Sequence, residues 1–166
     1  MLQSSNNHVK AYIQIDTAFI VLMFILFFTF VVYRVESFKN TYNYEIEFLN
    51  LKSQSDDICF MFSYTSGDKY DWENNFENVS MIGFLNDDNS GLNMSKVEFL
   101  NDDVYFDFID KLGVKDHLYV RFSYINSTLI KEFGFASYNY PVVFSNSICF
   151  IDFEDEIVKM EVKLWK

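Results

Sequence analysis

Residues 17–33 read TAFIVLMFILFFTFVVY, a stretch without a charged side chain that is bounded by Asp16 and Arg34. Extended upstream to Tyr12, it becomes an apolar run that contains one carboxylate. A helix needs about 20 mostly apolar residues to cross the hydrocarbon core of a bilayer, whereas strands rarely exceed about ten residues. Only a helix, moreover, satisfies its own backbone groups in lipid. The length of the stretch therefore predicts a membrane-spanning helix over residues 12–34.

Two other interpretations of this stretch are less favoured. A cleaved secretory signal peptide has an apolar region of about 7–15 residues that ends at a small-x-small site. Here the run is longer, and residues 32–36 read VYRVE. A buried core helix would need a larger body around it than the rest of the chain provides. Both observations favour a helix that stays in the membrane.

The composition limits the class of protein. Half of the 166 residues are apolar and 20% are aromatic, and 15 of the 20 Phe residues lie outside the span, enough to fill the core of a small domain. One Pro and five Gly exclude collagen-like and linker-dominated architectures. The net charge is 13 basic minus 24 acidic side chains, or −11, and would repel phosphate backbones. Nucleic acid is therefore excluded as an expected partner.

A short polar leader precedes the span and ends in Lys10 and Ala11, followed by Tyr12 and then by Asp16. A basic residue, a small residue and a hydrophobic run with an acid near its start resemble the class III signal peptide of archaeal type IV pilins. The resemblance implies that a prepilin-type peptidase cuts between Ala11 and Tyr12 on the cytoplasmic side. Residues 1–11 would be the leader, and the helix would stay on the mature protein. The resemblance further implies self-association or assembly with other pilin-like subunits.

Asp16 has two interpretations. A carboxylate in a membrane helix costs about 2.5–3.5 kcal/mol at the bilayer centre and less near the interface. In a pilin-like assembly, the new α-amino group of Tyr12 would pair with Asp16 of the same or a neighbouring subunit. Alternatively, Asp16 ends the span and lies among the headgroups.

The segment after the membrane is predicted to continue as a helical stalk over residues 35–66. Five apolar side chains follow one another at spacings of three or four, which is typical of one helix face. They are Val35, Phe38, Tyr42, Ile46 and Leu49. One helix is expected from about Ile13 to Thr65, with 40–43 and 53–55 as alternative breakpoints and Gly67 as the stop.

Residues 67–166, here called the head, predict an α+β fold with an antiparallel sheet. Alternation of apolar and polar residues marks the strands, and the spacing of apolar residues marks a helix that breaks near Asn101 and Asp102. A hairpin turn is expected at Asn126 and Ser127. The predicted strands are 80–85, 117–126, 128–135, 142–153 (one strand or a pair) and 158–164, and the predicted helix is 94–112.

The head carries a second resemblance. Gly67 and Trp72, the run 82–84, the run 92–96 and the closing Leu164-Trp165 are similar in order to landmarks of archaeal proteins with class III signal peptides. Lys69 stands where such proteins commonly have Pro. The resemblance implies a pilin-like surface protein. Taken as residues alone, these positions indicate a turn and a core.

No catalytic, cofactor-binding or metal-binding residue is assigned, and the chain is not expected to be an enzyme. His8 lies in the leader, and His117 opens a strand. The acidic runs indicate solvated loops, with Ca²⁺ binding as the alternative. The turn 86–91 lacks a carboxylate at the first ligand position of a Ca²⁺ loop.

An outward-facing head could be modified or cross-linked. Three N-x-S/T sequons begin at Asn78, Asn93 and Asn126 and are candidate glycosylation sites. Cys59 and Cys149 permit one disulfide. Their apolar neighbours are equally compatible with two buried free thiols.

These observations together predict a type IV pilin-like structural protein of the cell surface. Its single helix would enter the cell membrane with the N-terminus inside and the acidic head outside, alone or in a surface filament. The alternative is a single-pass, membrane-anchored binding or sensor protein that is neither processed nor assembled.

Overall fold

The computed structural model describes the backbone of residues 2–68, 71–88, 90–135 and 143–166, with side chains from Asp16 onward. Contacts divide the chain into two units, one up to Glu45 and one from Ile46 to Lys166. The backbone of the predicted cleavage residues 10–12 is described, but their side chains lie outside the described residues. So do Lys69 and Val142.

Helix α1 comprises Leu2–Tyr64. The prediction of one long helix is confirmed, but its start near Ile13 is wrong, because the polar leader is helical as well. No Pro or Gly occurs before Gly67, so nothing in the sequence forces a break, and neither alternative breakpoint interrupts the helix. Gly67 has a φ of 90°, a conformation that glycine adopts without steric cost just beyond a helix end.

Short helical segments follow α1. Helix α2 is Met94–Phe99 and helix α3 is Tyr105–Lys111, with 3₁₀ turns at Trp72–Asn78 and Asp102–Val104. The predicted break near residue 101 is confirmed. There the side-chain oxygen of Asn101 accepts hydrogen bonds from the first N–H groups of the following turn.

The strand predicted over 80–85 is wrong. Within the described chain, this segment forms two isolated bridges, one between Ile82 and Gly67 and one between Leu85 and Leu92. Its backbone turns instead to the end of α1, where Phe84 N donates to Phe62 O at 3.2 Å. The last carbonyls of a helix have no partner within it, and this segment satisfies them.

The other predicted strands form one antiparallel sheet of β1 (His117–Tyr124), β2 (Leu129–Gly134), β3 (Phe144–Phe153) and β4 (Glu156–Trp165). Their order across the sheet is β2-β1-β4-β3. The hairpin between β1 and β2 turns at Asn126 and Ser127, as the sequence predicts. The α+β fold with an antiparallel sheet is thus confirmed.

The core lies between one face of the sheet, the last turns of α1 and the short helices. Phenylalanine rings connect these layers. The ring centroid of Phe62 of α1 lies 4.8 Å from that of Phe84, and the ring centroid of Phe84 lies 5.3 Å from that of Phe122 of β1. Phe108 of α3 lies 5.0 Å from Phe133 of β2. Many of the aromatic side chains of the chain therefore pack between the helices and the sheet.

Candidate functional site: the apolar helix and its attachment to the head

The apolar span lies entirely on the surface of the molecule. Ile20 and Phe24 are each 67% exposed, and no described residue covers residues 17–33. Thr29 Oγ1 donates to Ile25 O at 2.8 Å, so this hydroxyl is satisfied within the helix. By length and composition, α1 is long and apolar enough near the N-terminus to cross a membrane once. A signal sequence or the core helix of a soluble protein has the same length and composition. Asp16, the first residue whose side chain is described, is exposed as well.

The apolar surface continues beyond Arg34. Val35, Phe38 and Tyr42 in the first unit are 62%, 80% and 60% exposed and form what we call the stalk stripe. Ile46 and Leu49, in the second unit, are exposed as well. All five predicted residues are helical, as expected. Contiguous exposed apolar side chains of this kind are typical of interaction surfaces.

The end of α1 is fixed to the head by polar contacts with β3. Ser55 is fully buried, and its Oγ lies 2.8 Å from Ser145 Oγ and 2.7 Å from Ser147 Oγ. Lys52 Nζ donates to Asp56 Oδ1 at 2.6 Å, and Ser147 Oγ donates to the same oxygen at 2.5 Å. These hydrogen bonds, that from Lys52 first, hold the pKa of the Asp56 carboxyl below its usual value. Residues three and four positions apart on the helix, Lys52, Ser55 and Asp56, thus contact residues two positions apart on the strand, Ser145 and Ser147.

A disulfide lies one turn further along the same contact. Cys59 and Cys149 are bonded, with their Cα atoms 6.1 Å apart, a distance typical of disulfides. Cys59 is 1% exposed, and Cys149 is partly buried. The structure therefore takes the first of the two alternatives that the sequence leaves open. We call the polar contacts and this disulfide the α1–β3 seam (Lys52, Ser55, Asp56, Cys59, Ser145, Ser147, Cys149).

Three landmark residues of the head, Gly67, Trp72 and Gly83, meet around one turn. Trp72 is fully buried and its Nε1 donates to Gly83 O at 2.7 Å. A Cβ atom on Gly83 would lie 2.1 Å from Thr65 O, so only glycine fits there. Their arrangement is that of a turn and a core, the interpretation drawn from the residues alone.

Lys96 is a buried charge in the same region. It is 0% exposed, and its Nζ donates to Ser66 O at 2.7 Å and to Leu85 O at 2.8 Å. Burial lowers the pKa of the Lys96 amine, while nearby acids, Glu73 foremost, oppose the change. Sequence reasoning missed this role because nothing in the local pattern shows that a helix-start lysine points inward.

An open acidic pocket of about 550 Å³ lies on the head. The sequence points to Asp87 and Asp88, but not to Asp71 and Glu73, which reach the pocket from the first 3₁₀ turn. Among the residues that the structure describes, no three His, Cys, Asp or Glu side chains are placed to hold a metal ion together. His117 lies elsewhere, at the start of β1, with its ring 5.8 Å from that of Trp165.

The three sequons fall in different settings. Asn78 ends a 3₁₀ turn, Asn93 caps the start of α2, and Asn126 lies at the tip of the β1–β2 hairpin. The structure brings none of them near another candidate site except Asn93, which lines the acidic pocket.

No protein-family model, curated protein or solved structure matches this chain.

Proposed function

We propose that this chain is a single-pass, membrane-anchored surface protein built like a type IV pilin subunit, with its N-terminus inside the cell and its head outside. One observation carries the proposal: α1 is uncovered along its apolar part, yet its last turns form part of the core of the head. A core helix of a soluble protein would be buried along its apolar part. A cleaved signal sequence would not contribute, in one continuous helix, to a folded core.

The disulfide supports an outward-facing head. Disulfides persist in oxidising surroundings and are rare where thiols are kept reduced. Cys59 and Cys149 both belong to the second unit and are bonded. A head on the outer side of the membrane would hold this bond without a redox partner.

The stalk stripe supports self-association. Val35, Phe38 and Tyr42 follow Arg34, the first charge after the span, and are largely exposed. Copies of the chain in one membrane are parallel and locally concentrated, so the same stripe on two copies can meet. Burying three such side chains on each of two copies would contribute on the order of 10 kcal/mol before the entropy cost of association is subtracted.

Processing is tested by the mass of the protein purified from its native membranes. We expect a mature chain that begins at Tyr12. Ala11→Ile should block cleavage by replacing the small residue before the cut, whereas Val9→Ile, which places the same isoleucine side chain two residues upstream, should be cleaved normally. An intact leader on the wild-type protein would refute the pilin-like processing.

Assembly is tested by cysteine cross-linking in membranes. Phe38→Cys places a thiol on the stalk stripe, and Asn40→Cys places one on nearly the opposite side of the helix. Because Cys59 and Cys149 are already bonded, a covalent dimer would report on the added thiol. We expect cross-linked dimers or larger species for Phe38→Cys alone. Equal cross-linking of the two variants, or none of either, would argue against association through the stripe.

The acidic pocket favours a second candidate, a membrane-anchored binding protein that is neither processed nor assembled. Four carboxylates around an open pocket would attract a cationic ligand. An intact leader together with a monomer in the cross-linking experiment would select this candidate.

A further inference from the structure

The β1–β2 hairpin presents its sequon at the tip of a tight turn. Tyr124 N donates to Thr128 O, and Ser127 N donates to Tyr124 O, both at 2.9 Å. Ser127 takes a φ of 70°, which turns the chain sharply. Within this turn Thr128 N donates to Asn126 Oδ1 at 2.9 Å. Asn126, Ser127 and Thr128 are all exposed, so the whole sequon stands clear of the domain.

The reactive atoms of this sequon are open to an incoming enzyme. The turn uses only the carbonyl oxygen of the Asn126 side chain. Among the described residues, the Nδ2 group of Asn126 and the hydroxyl of Thr128 make no hydrogen bond with another residue. N-glycosylation takes place at Nδ2 and requires the hydroxyl residue two positions later, so both required groups are available here.

The sequon at Asn78 is engaged by the fold. Asn78 Nδ2 donates to Asn75 Oδ1 at 2.9 Å, so the nitrogen that would accept a sugar already has a partner. Val79 is buried, and the Ser80 hydroxyl is hydrogen bonded to Asp68. An enzyme could use this sequon only after pulling a core residue out of place.

The sequon at Asn93 begins a helix. Asn93 Oδ1 accepts a hydrogen bond from Ser95 N at 3.0 Å, and Asn93 N donates to Phe84 O at 2.7 Å. Asn93 and Met94 are partly buried, and Lys96, which directly follows the sequon residue Ser95, is fully buried. Modifying this site would require unwinding the start of α2.

We propose that Asn126 is an N-glycosylation site of the folded protein and that Asn78 and Asn93 stay unmodified. The ligand class is a lipid-linked oligosaccharide diphosphate. A bond forms between the anomeric carbon of the sugar and Asn126 Nδ2, while the bond from that carbon to the phosphate oxygen breaks. The amide loses one proton and the lipid diphosphate leaves, with no change in oxidation state. This inference rests on the outward orientation given in the proposed function.

The test is the intact mass and the glycopeptide map of the full chain purified from its native membranes. Thr128→Val should remove the entire glycan mass, because it deletes the hydroxyl but keeps the backbone N–H that the Asn126 side chain accepts. Thr128→Ser restores a hydroxyl and should keep the glycan. Asn93→Gln and Asn78→Gln should leave the mass unchanged apart from the substitution itself. A glycan on either of these asparagines, or an unmodified Asn126, would overturn the proposal.

A second measurement separates this failure from failure of the proposed function. Lys115 is exposed in the head, and in Lys115→Cys a membrane-impermeant maleimide should label the new thiol on intact cells. Labelling together with a bare Asn126 refutes the glycosylation site alone. Absence of labelling on intact cells, with labelling after lysis, refutes the outward orientation and the glycosylation site together.

Discussion

Reduction of the Cys59–Cys149 disulfide should remove much of the stability of the head. The two residues are separated by 90 positions in the sequence. Releasing a loop of that length raises the conformational entropy of the unfolded chain. This should lower the free energy of unfolding by about 4.6 kcal/mol at 25 °C. Since Cys59 lies within the core, the reduced thiols would keep most of their packing, and the loss comes mainly from the unfolded chain. Small domains have net stabilities of about 5–15 kcal/mol, so the reduced head should lose between about a third and about nine tenths of its free energy of unfolding.

The chain offers a built-in probe for this measurement. Its two tryptophans, Trp72 and Trp165, are both buried in the head, and the apolar span contains none. Tryptophan fluorescence of the full chain in detergent micelles therefore reports on the head alone during urea unfolding. With an m value of about 1.5–2 kcal/mol/M, the midpoint should fall by about 2–3 M on reduction.

Cys59→Ala combined with Cys149→Ala is the matched control. Its midpoint should lie near that of the reduced wild type and should not respond to reductant. The reasoning is refuted if oxidised and reduced wild-type midpoints agree within about 0.5 M. It is also refuted if protein purified without reductant contains two titratable thiols.

Three further predictions concern the head. Lys96→Met should lower the free energy of unfolding, measured with urea, by about 2–4 kcal/mol, because two buried backbone carbonyls lose their hydrogen-bond donor. Gly83→Ala should cost about 3 kcal/mol or more through collision with a backbone carbonyl, whereas Gly113→Ala, with nothing within 4 Å, should cost about 1 kcal/mol through its positive φ alone. The lowered pKa of Asp56 adds stability that is present above its ordinary pKa and is lost as the pH falls through the folded pKa. Between about pH 6 and about pH 3, the free energy of unfolding measured with urea should therefore fall less in Asp56→Asn than in the wild type. The difference should be less than about 1 kcal/mol because the carboxylate is largely exposed.

Local patterns predict the elements that local forces decide. The alternation in 158–164 places apolar side chains on one face of a strand, and β4 indeed buries Val158, Met160 and Val162. The spacing of the stalk residues predicts a helix because side chains three or four apart share one face. These elements can be predicted from their own residues, without reference to the rest of the chain.

Long-range contacts decide the rest. Residues 80–85 have the composition of a strand but lie against the end of α1, where unpaired carbonyls offer hydrogen bonds. The acidic pocket likewise joins Asp71 and Glu73 to Asp87 and Asp88 across a fold that the sequence does not display. Both outcomes depend on which segments meet, and no local pattern records that.

The serine-rich stretch 53–55 shows how such a contact reverses a local interpretation. Serine competes for backbone hydrogen bonds and is unfavourable within helices, which makes this stretch a natural place for a break. In the structure Ser55 is buried against Ser145 and Ser147, about 90 residues later, and Cys59 is bonded to Cys149 one turn on. Buried hydroxyls need partners at fixed positions, whereas apolar side chains could slide. The polar residues therefore fix the register between the last turns of α1 and β3.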